Sequence, residues 1–222
     1  MFGSGRFIHV AVEAILTRAC RGITATKHAR KKRRNRMPRI PLLPVESLTP
    51  EQRRVYDAIK ASSRDDRVGA PYQLALHCPE FLEKWQQIGA LLRYRNSLPP
   101  RLSELAILVT ARHWDCQYEW HAHEPHAIKG GLPAGVIDAI RSGKRPAFND
   151  PDEEAIHDFC RELHETHFVS AHAYQRVLDR FGTVGVVELT ALIGHYAMVA
   201  MALNAHDHGL PAGVAPPLPT RT

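Results

Sequence analysis

The sequence contains few cysteines and no long hydrophobic run, and both absences exclude classes of protein. Its four cysteines, Cys20, Cys78, Cys116 and Cys160, lie far apart and form no Cys-x-x-Cys pair. That spacing argues against a disulfide framework and against a structural zinc site, and it favours a reducing, cytoplasmic setting. No segment approaches the roughly 18 consecutive apolar residues that a membrane span requires, so we expect no membrane partner.

Positive charge is concentrated at the N-terminus. Residues 1–39 contain eleven basic residues and the single acid Glu13, so the remaining 183 residues carry a net charge of −4 although the whole chain carries +6. A mildly acidic body does not attract a phosphate backbone. We therefore expect no nucleic-acid partner for the folded domain.

The basic segment 1–36 has three interpretations. An arginine-rich and acid-poor terminus is typical of an organelle transit peptide, and the cluster at 27–36 also suits nuclear import or polyanion binding. The third interpretation, which we favour, is that translation starts at Met37, where a proline-containing arm leads into the domain. The predicted organisation is this tail, a helical domain over 37–209 and a proline-rich C-terminal arm over 210–222.

Helical spacing dominates after residue 48, and period-two alternation, the pattern of strands, is absent. Thr49 and Pro50 form a helix start that leads to about Ser62. Prolines, glycines and acidic caps delimit the further predicted helices at about 79–96, 101–129, 133–142, 151–167, 170–181 and 184–207. The predicted fold class is all-α, a bundle of about six to seven helices.

The segment 184–203 is apolar on nearly all sides, with Glu188 as its one charged residue. Such a helix must be buried centrally or in a subunit interface. We therefore expect a homo-oligomer.

Titratable side chains collect within the predicted helix at 101–129. Cys116, Glu119 and His123 lie within about 60° of arc on a helix, so a thiol, a carboxylate and an imidazole share one face. This combination suits general acid/base or nucleophilic chemistry. The alternative is structural, since a single cysteine is often a core residue and Glu and His four apart often form a surface pair.

Two groups of histidines raise the question of a metal. His121 and His123 lie about 200° apart on a helix, so one helix cannot present both to a single ion. A site would require them to meet the second group, His195, His206 and His208, in the fold. We predict no metal and no cofactor, and hydrogen-bonded or solvated histidines are the favoured interpretation.

The same window resembles the carboxymuconolactone decarboxylase and alkylhydroperoxidase D (AhpD-like) superfamily. The peroxidase branch of that superfamily has a Glu, eleven residues, Cys-x-x-Cys, three residues and a His. Here Glu104 precedes Cys116 by eleven intervening residues, and His123 occupies the position of the histidine. The resemblance implies an AhpD-like helical bundle that assembles as a trimer or hexamer and acts on a small molecule.

This chain departs from the peroxidase pattern at two positions. Glu119 replaces the second cysteine, and Tyr118 replaces the histidine between the two cysteines. Without the second thiol no Cys-x-x-Cys disulfide cycle closes, and a one-cysteine cycle through Cys116 needs an external thiol. The decarboxylase branch uses no cofactor and lacks the cysteine pair, so the resemblance favours acid/base chemistry.

Carried over by position, the resemblance implies roles for each candidate catalytic residue. His123 is the proton donor or acceptor, Glu104 orients it, Glu119 is a second acid/base group, and Cys116 is the thiol of the peroxidase alternative. Arg112 and Tyr118 are the expected substrate-binding residues, with Arg93, Arg95 and Arg101 as less favoured cations.

We predict decarboxylation or a proton shift on a small unsaturated organic acid or lactone. A thiol peroxidase and a non-enzymatic ligand-binding oligomer are the alternatives.

One geometric conflict remains within this prediction. A straight helix over 101–129 would place Glu104 about 18 Å from Cys116 and rotate it by about 120°. The two residues can share a site only if the helix breaks or if another subunit contributes.

Overall fold

The computed structural model describes residues 38–63 and 67–219. In those ranges it contains a short 3-10 helix, Val45–Ser47, and eight α-helices, with no strand. The all-α prediction is confirmed. The predicted basic tail at 1–36 lies outside the described residues. The α-helices are α1 (Pro50–Ser62), α2 (Ala70–Ala75), α3 (Pro79–Tyr94), α4 (Pro100–His113), α5 (Gln117–Lys129), α6 (Ala134–Arg141), α7 (Pro151–Thr166) and α8 (Ala171–Ala205).

The helix starts follow the capping residues in the sequence. The Thr49 side chain accepts a hydrogen bond from the backbone N–H of Gln52, and the Gln52 side chain accepts one from the Thr49 backbone, which forms a capping box at α1. The Asp150 carboxylate accepts hydrogen bonds from the backbone N–H groups of Asp152 and Glu153 at α7. Proline occupies the first position of both helices, where its missing N–H is not needed. The short helix α2 was not predicted.

The prediction of one continuous helix over 101–129 is wrong. Helix α4 ends at His113 and α5 begins at Gln117. Between them Asp115 has a φ of 50°, a left-handed conformation that aspartate tolerates better than most residues. Its carboxylate accepts a hydrogen bond from Arg112, and the Cys116 backbone N–H donates to the Ala111 carbonyl. The break lets α5 pack back against α4.

The central element of the domain is α4. All ten residues from Leu102 to Ala111 are buried, and the helix packs against α5, α7 and α8. Burial on every side explains why this helix contains so few charged residues along its length. The exception is Glu104, which is only 8% exposed. A carboxylate at such a position requires a specific partner.

Helix α8 is interrupted where the sequence predicted a stop between 181 and 184. Gly182 has a φ of 64° and a ψ of −177°, which kinks the helix. One face of the following segment is buried, including Leu189, Leu192 and Tyr196. The helix passes a length and composition test for a membrane span, but half of the tested window is buried within the fold and a core helix passes the same test.

Both arms of the described chain pack against the helices. Arg39 donates hydrogen bonds to the Asp207 carboxylate through Nε (2.7 Å) and to the His206 carbonyl through its backbone N–H. In the proline-rich C-terminal arm Leu218 is buried, and its backbone N–H and carbonyl both bond to the side-chain amide of Gln117. The C-terminal arm is therefore fixed against the first turn of α5.

Candidate active site

A buried hydrogen bond joins α4 to α5. His123 Nδ1 lies 2.7 Å from Glu104 Oε2, and the two residues are 6% and 8% exposed. The break at Asp115 lets α5 fold back on α4, so Glu104 and His123 meet within a single chain. A carboxylate on Nδ1 holds the proton there, which leaves the lone pair of Nε2 available as a base.

His123 is neutral near pH 7. Burial lowers the pKa of His123, and Arg93 and His126 lower it further, while the Glu104 carboxylate opposes these effects. A neutral imidazole with a fixed tautomer is the form that abstracts a proton. The pair therefore has the arrangement of a base and the group that orients it.

Glu119 lies one helical turn before His123 on α5, and its pKa is shifted in the opposite direction. It is 1% exposed, and neither carboxyl oxygen has a hydrogen-bond partner among the described residues. Burial raises the pKa of Glu119 well above its ordinary value. A carboxyl group in this environment carries its proton at neutral pH and can donate it.

Tyr196 of α8 and Arg93 of α3 complete the surroundings of His123. The Tyr196 ring contacts the His123 ring edge to face, with centroids 4.8 Å apart. Burial raises the pKa of the Tyr196 phenol, Arg93 opposes this, and Glu104 and Glu119 raise it further. The phenol is thus a neutral hydrogen-bond donor, and Arg93 is a cation close enough to act on both rings.

His195 lies beside Tyr196 and is also neutral. Burial lowers the pKa of His195 to about 4, with a further contribution from His123, and its buried Nδ1 has no hydrogen-bond partner among the described residues. Gly89 allows the close approach: an added Cβ would lie 2.5 Å from Tyr72 Oη and 3.1 Å from His195 Nε2. Helices α2, α3 and α8 therefore bring the polar side chains of Tyr72, Arg93 and Tyr196 around the pair that His123 forms with Glu104.

Residues 79–157 match the family model of the carboxymuconolactone decarboxylase family. The family resemblance is confirmed. The matched region runs from the start of α3 into α7 and includes Glu104, Glu119 and His123. No curated protein matches the chain in sequence.

Within the matched region, Cys116 is the N-cap residue of α5 and is 1% exposed. The other described cysteines are the exposed Cys78 and the buried Cys160. Burial raises the pKa of the Cys160 thiol, which makes it unreactive. The role of Cys116 stays a prediction.

The structure places the two expected substrate-binding residues away from His123. Arg112 donates through Nε to the Arg141 carbonyl (3.0 Å) and through Nη1 to Asp115. The Tyr118 hydroxyl accepts a hydrogen bond from the Ala70 backbone, and its ring packs against His208. Arg93, which sequence reasoning ranked below Arg112, is the arginine near the pair.

The fold brings only some histidines of the second group, His195, His206 and His208, towards the residues of α5. His195 reaches the surroundings of His123, whereas His208 reaches Tyr118. Over residues 38–63 and 67–219 no group of three histidine, cysteine, aspartate or glutamate side chains is arranged to hold a metal ion.

Sequence reasoning missed the contributions of Tyr196, Tyr72 and Gly89. The available signal was a polar His-Tyr pair at 195 and 196 inside an otherwise apolar helix. Such a pair in a core-facing stripe indicates a polar contact across the core.

The raised pKa of Glu119 predicts a pH-dependent effect of the Glu119→Gln substitution. The unfolded chain loses the Glu119 proton near its ordinary pKa of 4.5, whereas the folded chain keeps it. This residue therefore lowers the stability of the parent progressively as pH rises above that value. We expect Glu119→Gln to be more stable than the parent at pH 8 and to lose that advantage towards pH 4.5, as measured by urea unfolding at both pH values. An advantage of equal size at both pH values would contradict the assignment.

Proposed function

We propose that this protein is an enzyme that performs acid/base chemistry, a decarboxylation or a proton shift, on a small unsaturated organic acid or lactone. The observation that carries the proposal is the pairing of a neutral base with a neutral acid one helical turn apart. His123 is fixed by Glu104 with its pKa lowered, and Glu119 is buried with its pKa raised. Burial shifts both groups towards their neutral forms, and a neutral imidazole can accept a proton while a neutral carboxyl group can donate one.

The chemistry balances without a redox partner. In a decarboxylation the bond between the substrate carbon and its carboxylate breaks, carbon dioxide leaves, and the electron pair enters the conjugated carbonyl system. Glu119 delivers a proton to the resulting carbanion and regains one from solvent. In a proton shift His123 removes a proton from one carbon and Glu119 supplies a proton to another.

The surroundings of the pair suit an anionic substrate. Arg93 is the cation that influences both His123 and Tyr196, and a guanidinium binds a carboxylate through paired hydrogen bonds. The Tyr196 phenol remains protonated and can donate a hydrogen bond to a carbonyl oxygen on which charge develops. The same burial that shifts these pKa values strengthens such hydrogen bonds.

The missing second thiol supports the acid/base proposal over a thiol peroxidase. Without it no Cys-x-x-Cys disulfide cycle closes, and Cys116 needs an external thiol as reductant. Glu119 occupies the position from which a second thiol would act. The third alternative, a ligand-binding oligomer without turnover, uses the same polar site but predicts no product.

Paired assays separate the three functions. The purified protein is incubated with carboxymuconolactone and related unsaturated acids while carbon dioxide release is followed. In parallel, loss of hydrogen peroxide and of an organic hydroperoxide is followed with dithiothreitol present. We expect product from the first assay, in parent and Cys116→Ser alike. Peroxide turnover that Cys116→Ser abolishes, with no carbon dioxide release, would replace the proposal with the peroxidase.

We also propose that the protein self-associates through an apolar stripe on α8. After the kink the exposed residues Val184, Val187, Ala191 and Gly194 recur at three- and four-residue spacing, Met201 follows seven residues later, and the stripe extends over about 26 Å of helix. No charge interrupts them, and the small Ala191 and Gly194 permit close approach of an identical helix. A second copy presents the same uncharged stripe, which suits a symmetric interface.

Sedimentation tests the stripe directly. We expect the parent to sediment well above the 24.9 kDa of one chain and Val187→Glu to shift towards that mass, because a buried unpaired charge opposes the contact. His172→Glu, an exposed change in the first turn of the same helix, serves as control and should leave the mass unchanged. A parent that sediments as a single chain at micromolar concentration would refute the proposal.

A further inference from the structure

A cleft with a volume of about 150 Å³ opens on the side of α4 that faces α7 and the loop after α6. It shares no residue with the His123 site, because it is formed around the C-terminal turns of α4. The side chains that determine its chemistry are Arg112, His113, Lys144, Arg145, Arg161 and His164.

The cleft is lined by four cationic side chains and by one acid, Glu165. Two of the arginines are fixed by the fold: Arg112 binds Asp115, and Arg145 binds Asp158 and Glu154. These contacts hold the guanidinium groups in place and lower the entropy cost of using them.

The remaining two cations have hydrogen-bonding capacity that the described residues do not use. Arg161 binds Glu165 through Nη1 (2.8 Å), but its Nε is buried and has no acceptor in the described part of the chain. Lys144 forms no ion pair with any described residue. A buried N–H without an acceptor costs free energy, and an anion in the cleft would supply that acceptor.

Two stacked imidazoles form one wall of the cleft. The rings of His113 and His164 have centroids 4.5 Å apart and planes 13° apart. Burial, with a contribution from His113, lowers the pKa of His164 to about 4, and Thr110 Oγ1 lies 3.0 Å from its Nε2. His164 is therefore uncharged near pH 7 and adds a flat surface to the cleft.

We propose that this cleft is a binding site for a small anion that carries a phosphate or carboxylate group. Its volume of about 150 Å³ is large enough for inorganic phosphate or a short dicarboxylate. Arg161 and Lys144 are the groups that bind the anion, and Arg112 and Arg145, held by their carboxylate partners, line the cleft beside them. The site is independent of the proposed acid/base function.

Calorimetric titration of the full chain with sodium phosphate and, separately, with sodium succinate tests the site at constant ionic strength. We expect saturable binding of at least one of the two anions, with chloride inactive. The double variant Lys144→Gln, Arg161→Gln should weaken that binding by about tenfold or more, because charge-assisted hydrogen bonds are lost. The matched control Lys84→Gln, Arg180→Gln removes the same charges from exposed positions on α3 and α8 and should bind as the parent does.

The outcomes assign the ligand or overturn the site. Binding of phosphate alone identifies a phosphate site, and binding of succinate alone identifies a carboxylate site. Binding that persists in His123→Ala separates the cleft from the acid/base centre. Absence of saturable binding for both anions, or equal weakening in the double variant and in its control, overturns the proposal. Circular dichroism of each variant confirms that it has folded.

Discussion

Replacement of His123 by alanine is expected to reduce the turnover of an unsaturated acid by about 10²- to 10⁴-fold, the usual contribution of a positioned general base. The imidazole is the one base in the described structure that is held at 2.7 Å by a buried carboxylate. No neighbouring group can replace it, since Glu119 carries its own proton and His195 has a pKa of about 4. Steady-state kinetics of the proton shift, the reaction in which His123 removes a proton from carbon, provide the measurement.

Two further variants make this prediction specific. Glu104→Gln keeps the size of the orienting group and removes the charge that raises the pKa of His123, so we expect a lower kcat and a pH–rate profile displaced to lower pH for the dependence on neutral His123. His121→Ala removes a half-buried histidine from the same helix, outside the pair, and should retain activity. If His121→Ala and His123→Ala lose activity equally, His123 has no particular role in the reaction.

Replacement of Trp120 by alanine is expected to lower the free energy of unfolding by about 3–5 kcal/mol. Trp120 is 0% exposed, its Nε1 donates to Glu124 Oε2 (3.0 Å), and the Arg141 guanidinium lies over its ring. The substitution leaves a large cavity between α5 and its neighbours. It also removes the ring that fixes α5, the helix that carries Glu119 and His123.

Urea unfolding measures this loss. Phe168→Ala is the matched control, since it also removes an aromatic ring but from a position 77% exposed, and its effect should stay within about 0.5 kcal/mol. A Trp120→Ala variant as stable as the control would show that α5 is not held through this ring. In that case the position of the His123 pair would depend on other contacts.

Most of the helices could be predicted from the sequence, because the residues that start and stop a helix act locally. The capping box at Thr49 and the Asp150 cap fix the starts of α1 and α7, and Gly182 interrupts α8 where a stop was expected. These signals act within one turn of the chain. The break at Asp115 could not be predicted, because the segment contains neither proline nor glycine, and the contacts of the turn, from Arg112 to Asp115 and from Cys116 to Ala111, form only once the chain has turned.

The sequence by itself determined the all-α class, the family resemblance and the identity of Glu104, Glu119 and His123 as candidates, since residue type and spacing specify these directly. Only the tertiary structure decided that Glu104 contacts His123, that Arg93 and not Arg112 lies near the pair, and that Tyr196 and His195 join it. The physical reason is that such contacts join helices far apart in the chain. Their geometry depends on a single backbone reversal at Asp115 and on burial, which also sets the pKa of each group.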